Sequence, residues 1–364
     1  MSKLPPPEAR NGDSRHENRV TQPLREQAVF NNPAVLTEGW YPLFPSKDLK
    51  AGKVRSFKLL SQRLTIYRGM DGHAHALDAF CPHMGADLSN GIVEENQLRC
   101  YFHRWRYDGS GKLTDVPCQK DLPAGVHLNG YPVRERYGFV WVYAGKEAKH
   151  DIPSPPGLDG VAEKDIASVY LRKGTLFAHH HVMMANGIDL QHFDAVHGLN
   201  IEFEYKVEEK NEQTFDWILS GEIPNQGWVT GFGRWLLGPR FGYRARIAGG
   251  TIAAISYGDQ PRFRGKGRLL PSPHILWGCV PLERGVSEVH IFVVMKKHGW
   301  FKRAGLFLFT LVLLTILTDD DIQAFPNMRF QTGHLIPADG SVARLIQMIN
   351  RLPISMWTPK NAHS

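Results

Sequence analysis

The sequence is poor in cysteine, in long apolar runs and in nucleotide-binding loops, and each shortage excludes a class of protein. It has 4 cysteines in 364 residues, too few for the disulfide scaffold of a small secreted domain. Its longest apolar run, residues 305–317, is shorter than the roughly 20 residues that a membrane-spanning helix needs. No internal repeat, coiled coil, GxGxxG or Walker loop is present, so flavin and nicotinamide sites are not supported.

The N-terminal region also lacks the apolar segment of a secretory signal. Residues 1–35 are polar and rich in proline and charge, which predicts a poorly ordered arm packed against a neighbouring subunit. We therefore expect a cytoplasmic protein, in which Cys118 and Cys279 are reduced thiols rather than a disulfide.

The charge balance is basic, with a formal net charge of +7 and a pI near 9.2. Such a balance admits an acidic electron-donor protein, an anionic membrane surface or nucleic acid as a partner. Nucleic acid is the least supported of the three because the Lys and Arg residues are scattered and no recognition motif accompanies them.

Short β-rich segments separated by turns fill the region from Trp40 to Gly145, including RSFKLL, RLTIYRG, HALDAF and YGFVWVYAG. They predict a small β-sandwich or barrel. The segment of residues 150–160 is dense in Pro and Gly, which predicts a linker. Beyond it, strand-like runs and one helical stretch, ANGIDLQHFDAVHG, predict an α+β domain.

Within the first region lie two pairs of metal-ligand residues, Cys81-x-His83 and Cys100-x-x-His103, with 16 residues between the pairs. Two thiolates and two imidazoles can hold a 2Fe-2S cluster, with the cysteines on one iron and the histidines on the other, or a structural zinc ion. Zinc fingers place two histidines on one helix, whereas here each pair mixes the two residue types among glycines and prolines. The pattern therefore favours the 2Fe-2S cluster.

A second constellation, Asn186, Asp189, His192 and His197, lies in the helical stretch. Asp189 and His192 share one helix face. His192 and His197 are about 140° apart on an ideal helix, so they reach one metal only if the helix ends between them, and Gly198 favours such an end. Two imidazoles and a carboxylate are typical of a mononuclear non-haem iron site.

Two further groups bear on this site. The acidic cluster LTDDDIQAF, residues 317–325, follows the apolar run and can supply a carboxylate, although it can also cap a helix or face solvent. His179, His180 and His181 fall in a run that we predict to be a strand, where neighbouring side chains point to opposite faces. We therefore expect them to be structural or pocket-lining and not to share one ion.

These motifs resemble those of the Rieske non-haem iron oxygenases, over residues of about 36–330. The resemblance includes Pro82, Gly85 and the segment CYFHRWRYDGSGKL around the first site, and the pattern Asp-x2-His-x4-His at the second. Met84 departs from the usual basic or leucine residue without altering the ligand set.

The resemblance implies an α+β protein with an all-β Rieske 2Fe-2S domain over residues 36–150 and a helix-grip (START-like) domain over residues 151–364 that binds Fe(II). It implies that Asp319, three residues before Ile322, completes the iron ligands, with Asp320 as the second choice. It also implies a head-to-tail homotrimer in which Asp189 bridges His192 to His103 of a neighbour. The electron donor would be a ferredoxin or flavin reductase, and O2 the co-substrate.

The substrate is predicted less directly. The chain looks similar to single-subunit enzymes such as the 3-ketosteroid hydroxylases and aminopyrrolnitrin oxygenase, so we expect monooxygenation, desaturation or dealkylation of a bulky hydrophobic, steroid-like compound. Arylamine N-oxygenation or aromatic O-demethylation is the alternative. A Rieske electron carrier without oxygenase chemistry, or a scaffold that has lost catalysis, remains open from a different class. Residues 305–317 predict a buried helix or, alternatively, a segment that contacts a membrane surface.

Overall fold

The structure, a computed structural model, describes residues 29–60, 62–198, 201–223, 239–257, 274–297, 305, 307, 308, 310, 328, 330, 331 and 333–358. Among these residues, no helix is both long and apolar enough to cross a membrane. Cys118 and Cys279 are free thiols, as predicted, the first exposed and the second buried. The preferred and alternative iron ligands Asp319 and Asp320 lie outside the described residues, as does most of the apolar run.

Short antiparallel strands build the first part of the chain. They are β1 (Trp40–Pro45), β2 (Val54–Leu59), β3 (Gln62–Arg68), β4 (Ala74–Asp78), β5 (Ile92–Glu94), β6 (Gln97–Arg99), β7 (Arg106–Tyr107), β8 (Leu113–Asp115), β9 (Gly130–Tyr131), β10 (Val133–Arg136) and β11 (Phe139–Tyr143). They form three sheets in the orders β1-β11-β10, β2-β3-β4-β9 and β5-β6-β7-β8. The four strand segments read from the sequence therefore fall on β2, β3, β4 and β11.

One large antiparallel sheet builds the second part. Its elements are β12 (Ile166–Leu176), α1 (His180–Asn186), α2 (Leu190–Ala195), β13 (Phe203–Asn211), β14 (Thr214–Glu222), β15 (Arg240–Ala248), β16 (Ile252–Tyr257), β17 (His274–Glu283), β18 (Val286–Lys296) and α3 (Gly340–Ile349). The strand order is β12-β18-β17-β16-β15-β14-β13. The predicted α+β fold class is confirmed.

The two faces of this sheet bury different partners because successive side chains on a strand point to opposite sides. On β14, Phe215 and Trp217 join a core that includes residues of α1 and α3. On the other face, Leu276 and Phe292 pack against Trp141 of β11. The approach is close enough that a Cβ at Gly278 would lie 2.8 Å from Pro42 and 2.9 Å from Trp141.

A buried ion network fixes the linker to the same face. Arg246 on β15 contacts Asp216 on β14 at 2.7 Å and Asp159 in the linker at 2.7 Å. Asp216 is fully buried, so its charge needs the paired guanidinium. Burial of Leu158 in the adjacent apolar cluster adds to this attachment. The Pro-rich segment is therefore packed against the second sheet.

The end of the predicted N-terminal arm differs from the expectation. Val29, Phe30 and Val35 are buried in the core that contains α1 and α3 of the same chain. The Phe30 backbone N–H donates to the side chain of Asn350, just after α3, at 2.8 Å. Apolar side chains at these three positions explain the change, because they remove surface from water only by packing.

Candidate metal centres

The first centre lies on two loops at one end of the small sheets. Cys81 and His83 follow β4, and Cys100 and His103 join β6 to β7. The loops are tight: the Cys81 N–H donates to the Ala86 carbonyl at 2.9 Å, and the Cys100 N–H donates to the Trp105 carbonyl at 2.9 Å. Cys81 and Cys100 belong to one buried apolar cluster with Leu98 of β6 and Tyr107 of β7, and this packing brings together two ligand pairs that are separate in the sequence.

Burial divides the four side chains into two kinds. Cys81 and Cys100 are 3% and 1% exposed, whereas His83 and His103 are exposed at the tip of the loops. The two imidazole rings lie 4.6 Å apart between centroids, and His83 stacks on Trp105 at 4.3 Å. Two buried sulfurs beneath two adjacent exposed imidazoles fit a 2Fe-2S cluster with one sulfur-bound and one histidine-bound iron.

Burial and a neighbouring hydroxyl group both affect the Cys81 thiol. Burial raises the pKa of the Cys81 thiol, which also interacts with Cys100. The Tyr107 hydroxyl lies 3.2 Å from the Cys81 sulfur, within hydrogen-bonding distance. Tyr107 lies in the segment CYFHRWRYDGSGKL. Its contact with Cys81 could not be predicted from residue spacing, because the contact connects β7 with the loop after β4.

The second centre forms around α2. This helix ends at Ala195, and the Gly198 N–H donates to the Asp194 carbonyl at 2.9 Å with Gly198 at a φ of +60°. The chain therefore turns before His197, as expected from the glycine. His192 Nε2 and His197 Nε2 consequently lie 3.0 Å apart, with perpendicular rings. This separation fits two ligands that are each about 2.1 Å from one metal ion.

Asn186 and Asp189 lie beside these histidines in different ways. The Asn186 amide nitrogen is 3.2 Å from His192 Nε2, next to the atom that would bind a metal. Asp189 is the N-cap of α2 and accepts hydrogen bonds from the backbone N–H groups of Gln191 at 3.0 Å and His192 at 3.4 Å. These contacts of Asp189 with α2 are to backbone N–H groups. The sequence resemblance implied a bond from Asp189 to the His192 side chain instead.

The histidine triplet corrects one sequence prediction. β12 ends at Leu176, His179 is the N-cap of α1 and His180 begins the helix. The prediction that the three rings point to opposite faces was wrong, because helical positions replace the strand alternation on which it depended. Ring atoms of His179, His180 and His181 lie within 4.8 Å of one another, and all three side chains are buried.

Comparison with known proteins identifies the first region. Residues 39–132 match the Rieske [2Fe-2S] domain family. The chain is 33% identical over 195 residues to a cholesterol 7-desaturase of Hemicentrotus pulcherrimus, and 30% identical over 181 residues to the oxygenase component of a 3-ketosteroid-9-alpha-monooxygenase of Rhodococcus rhodochrous. The chain therefore contains a Rieske [2Fe-2S] domain. These alignments cover 51% and 48% of this chain, and 41% and 45% of the relatives, so the chain spans less than half the length of either relative.

Solved structures resemble the fold of this chain beyond the Rieske domain as well. NdmB of Pseudomonas putida CBB5 superposes with a TM-score of 0.63 at 16% identity, covering 87% of this chain and 93% of that one. Dicamba monooxygenase bound to dicamba superposes with a TM-score of 0.60 at 18% identity, covering 86% and 96%. Both likenesses concern the fold alone.

Proposed function

We propose that this chain is the oxygenase component of a Rieske system that uses O2 at a mononuclear Fe(II) to monooxygenate, desaturate or dealkylate a sterol-like substrate. The observation that carries the proposal is the 3.0 Å approach of His192 Nε2 to His197 Nε2 in a domain that follows a Rieske domain. An electron carrier has no need of this second pair of histidines.

The described residues have distinct roles in this proposal. Cys81, His83, Cys100 and His103 would hold the cluster, and His192 and His197 would hold the iron with a carboxylate from Asp319 or, as second choice, Asp320. When bound, the cluster supplies single electrons and the Fe(II) supplies a site for O2 activation.

Asn186 and Asp189 would position the second centre. The Asn186 amide lies beside His192 Nε2 and can orient a polar group bound there. Asp189 holds the first turn of α2 through two backbone hydrogen bonds, so it fixes the direction in which His192 projects. We further propose that the Asp189 carboxylate bridges His192 to His103 of a neighbouring subunit in a head-to-tail trimer, which would let electrons pass between chains.

Aromatic side chains beside the histidines support a bulky apolar substrate. Phe193 lies 6.0 Å from His192 and 6.3 Å from His197 between ring centroids. It also packs on Phe203 at 4.9 Å and on Tyr243 at 5.9 Å. Phe193 and Tyr243 are buried in the core, so these rings form an apolar wall that keeps water away from the histidines. The names of the curated relatives, which refer to cholesterol and a ketosteroid, point to the same substrate class.

A substrate panel tests the proposal. Oxygen uptake would be measured with a ferredoxin and reductase, using sterols, 3-ketosteroids, arylamines and methoxylated aromatics as separate additions, with product analysis by mass spectrometry. We expect sterol-dependent uptake with an oxygenated, desaturated or dealkylated product, and no product from the His192→Ala variant. Product formation only from arylamines or aryl ethers would replace the sterol assignment by the aromatic alternative.

A further inference from the structure

A second group of histidines lies outside the proposed iron site. His179, His180 and His181 are 6%, 2% and 1% exposed and occupy the beginning of α1, whereas Asn186 is at its other end. In the part of the chain that the structure describes, they are the one group of three or more His, Cys, Asp or Glu residues with mutually close ligand atoms. The proposed function gives them no task.

Half of the ring nitrogens in this group lack hydrogen-bond partners. Both nitrogens of His180 and Nε2 of His181 are buried without a hydrogen bond of normal geometry among the described residues, and their nearest backbone polar group is that of Gly250. His181 Nδ1 accepts from the Asn31 backbone N–H at 3.1 Å, and His179 Nδ1 accepts from the His181 backbone N–H at 3.3 Å. Buried polar atoms without partners are unfavourable and rare, so a ligand at this position would satisfy atoms that the protein leaves unpaired.

Protonation does not resolve the unpaired nitrogens. Burial lowers the pKa of His179 to about 4 and lowers the pKa values of His180 and His181 well below the usual value. The three rings are therefore neutral at pH 7. Neutral imidazole is the form that binds metal ions, so protons do not compete for these nitrogens.

We propose that His179, His180 and His181 bind one divalent transition-metal ion that accepts imidazole ligands, such as Zn2+. Their ligand atoms already lie within 4.8 Å of one another, and rotation of the side chains would bring them to the roughly 3.3 Å separation of nitrogens around a tetrahedral ion. Among the described residues no carboxylate joins the group, so a water or hydroxide would take the fourth position. This proposal does not depend on the oxygenase function.

A bound ion would fasten several segments to the start of α1. His181 stacks on Phe30 at 5.5 Å and accepts a hydrogen bond from Asn31, which places the N-terminal segment on the group. A Cβ at Gly250, in the turn between β15 and β16, would lie 3.1 Å from His181 Nε2. The Phe30 backbone N–H in turn donates to the Asn350 side chain, just after α3. The ion would thus stiffen the helix whose far end carries Asn186.

The test is zinc binding by the cluster-loaded full chain in a His192→Ala background, which removes the proposed iron site as a competing zinc site. We expect one additional equivalent of zinc per chain by elemental analysis after dialysis, and a rise in the unfolding temperature with added zinc. His180→Phe in this background should weaken zinc binding by roughly 100-fold or more, because even a disturbed second-shell contact costs about 10–100-fold. The His180 ring makes no hydrogen bond of normal geometry among the described residues, so this change removes a proposed ligand and at most a weak contact with the Gly250 backbone.

His127→Phe is the matched control, because His127 is exposed and distant from α1 in the small sheets; it should bind zinc like its parent. Equal zinc affinity in the His180→Phe protein, or no zinc bound by the parent, would overturn the proposal. If a variant fails to fold, zinc-soaked crystals of the wild-type chain decide: an anomalous peak among the three rings supports the site, and its absence rejects it.

Discussion

At the scale of single residues, the Tyr107 hydroxyl is placed to tune a cluster held by Cys81. It lies 3.2 Å from the sulfur, and a hydrogen bond to a cluster sulfur stabilises the more negative, reduced state. Tyr107→Phe should therefore lower the reduction potential of the cluster by about 40 mV, since one hydrogen bond contributes about 1 kcal/mol and a one-electron couple shifts by about 59 mV per 1.4 kcal/mol.

The measurement is a redox titration followed by electron paramagnetic resonance or absorbance. Tyr101→Phe is the control, because Tyr101 is exposed on the loop that carries His103 and its removal should leave the potential unchanged. An unaltered potential in Tyr107→Phe would show that the hydroxyl does not bond to the sulfur in the loaded protein.

The sequence predicts the ligand residues better than their environment. Cys81 with His83, and Cys100 with His103, are close in the chain, so their spacing alone indicates a metal site. The contact of Tyr107 with Cys81 joins residues 26 positions apart, and Trp105 stacks on His83 from the other ligand loop. Residue spacing therefore does not predict such contacts.

At the scale of elements, α2 depends on Asp189 for its start. Asp189→Ala removes an N-cap and should lower the free energy of unfolding by about 1 kcal/mol, whereas Asp189→Asn retains a good cap. Both variants should retain cluster and iron yet lose turnover, because both remove the carboxylate of the proposed electron bridge. Denaturant unfolding and product formation measure the two effects. Normal turnover in Asp189→Asn would reject the bridge and leave only the cap.

The end of α2 gives a second prediction. Gly198 has a φ of +60°, which costs other residues roughly 1 kcal/mol or more, and it ends the turn that points His197 towards His192. Gly198→Ala should lower the free energy of unfolding by about this amount and reduce mononuclear iron content. Gly187→Ala is the control: its φ is −65°, and an added Cβ would lie 3.6 Å from its nearest neighbour. Equal iron content in both variants would contradict the role of this turn.

Element boundaries explain the one wrong assignment around α1. Residues 166–178 continue as strand-like sequence into the histidines without an intervening glycine or proline at the break. The N-cap of the helix is His179, whose ring accepts the His181 N–H, and histidine is not among the preferred N-cap residues. The end of α2 could be predicted, because a glycine such as Gly198 after a helical pattern indicates the end of a helix.

At the scale of the whole molecule, buried histidines make stability depend on pH. Burial lowers the pKa values of His179 and His274 to about 4, and those of His180 and His181 well below 6.5. These rings are neutral in the folded protein, so below pH 6.5 the unfolded chain binds protons first and folding loses stability. The contribution is present above pH 6.5 and declines as the pH falls towards 4.

Thermal unfolding in metal-free buffer should show this decline between pH 7 and pH 5, where most carboxylates remain ionised. His180→Phe should make the decline shallower by removing one such group, and the exposed-site variant His127→Phe should follow the wild type. An unfolding temperature that does not change between pH 7 and pH 5 would contradict the neutral, buried state of these rings.

The packing of the two parts of the chain against each other could be predicted only partly from the sequence. Alternation along β14 predicts which side chains share a face, but not that Trp141 of β11 covers the opposite face of the large sheet. The small glycine at position 278 permits that approach. Neither the strand order of the large sheet nor the position of α3 on it follows from a local pattern.

The iron content of the intact protein tests the central proposal most directly. Protein purified without oxygen, with its Rieske spectrum intact, should contain roughly three iron atoms per chain, two in the cluster and one at His192 and His197. The His192→Ala variant should contain about two, with the same Rieske spectrum. About two iron atoms per chain in the wild type, unchanged in the variant, would show an electron carrier and contradict the oxygenase account.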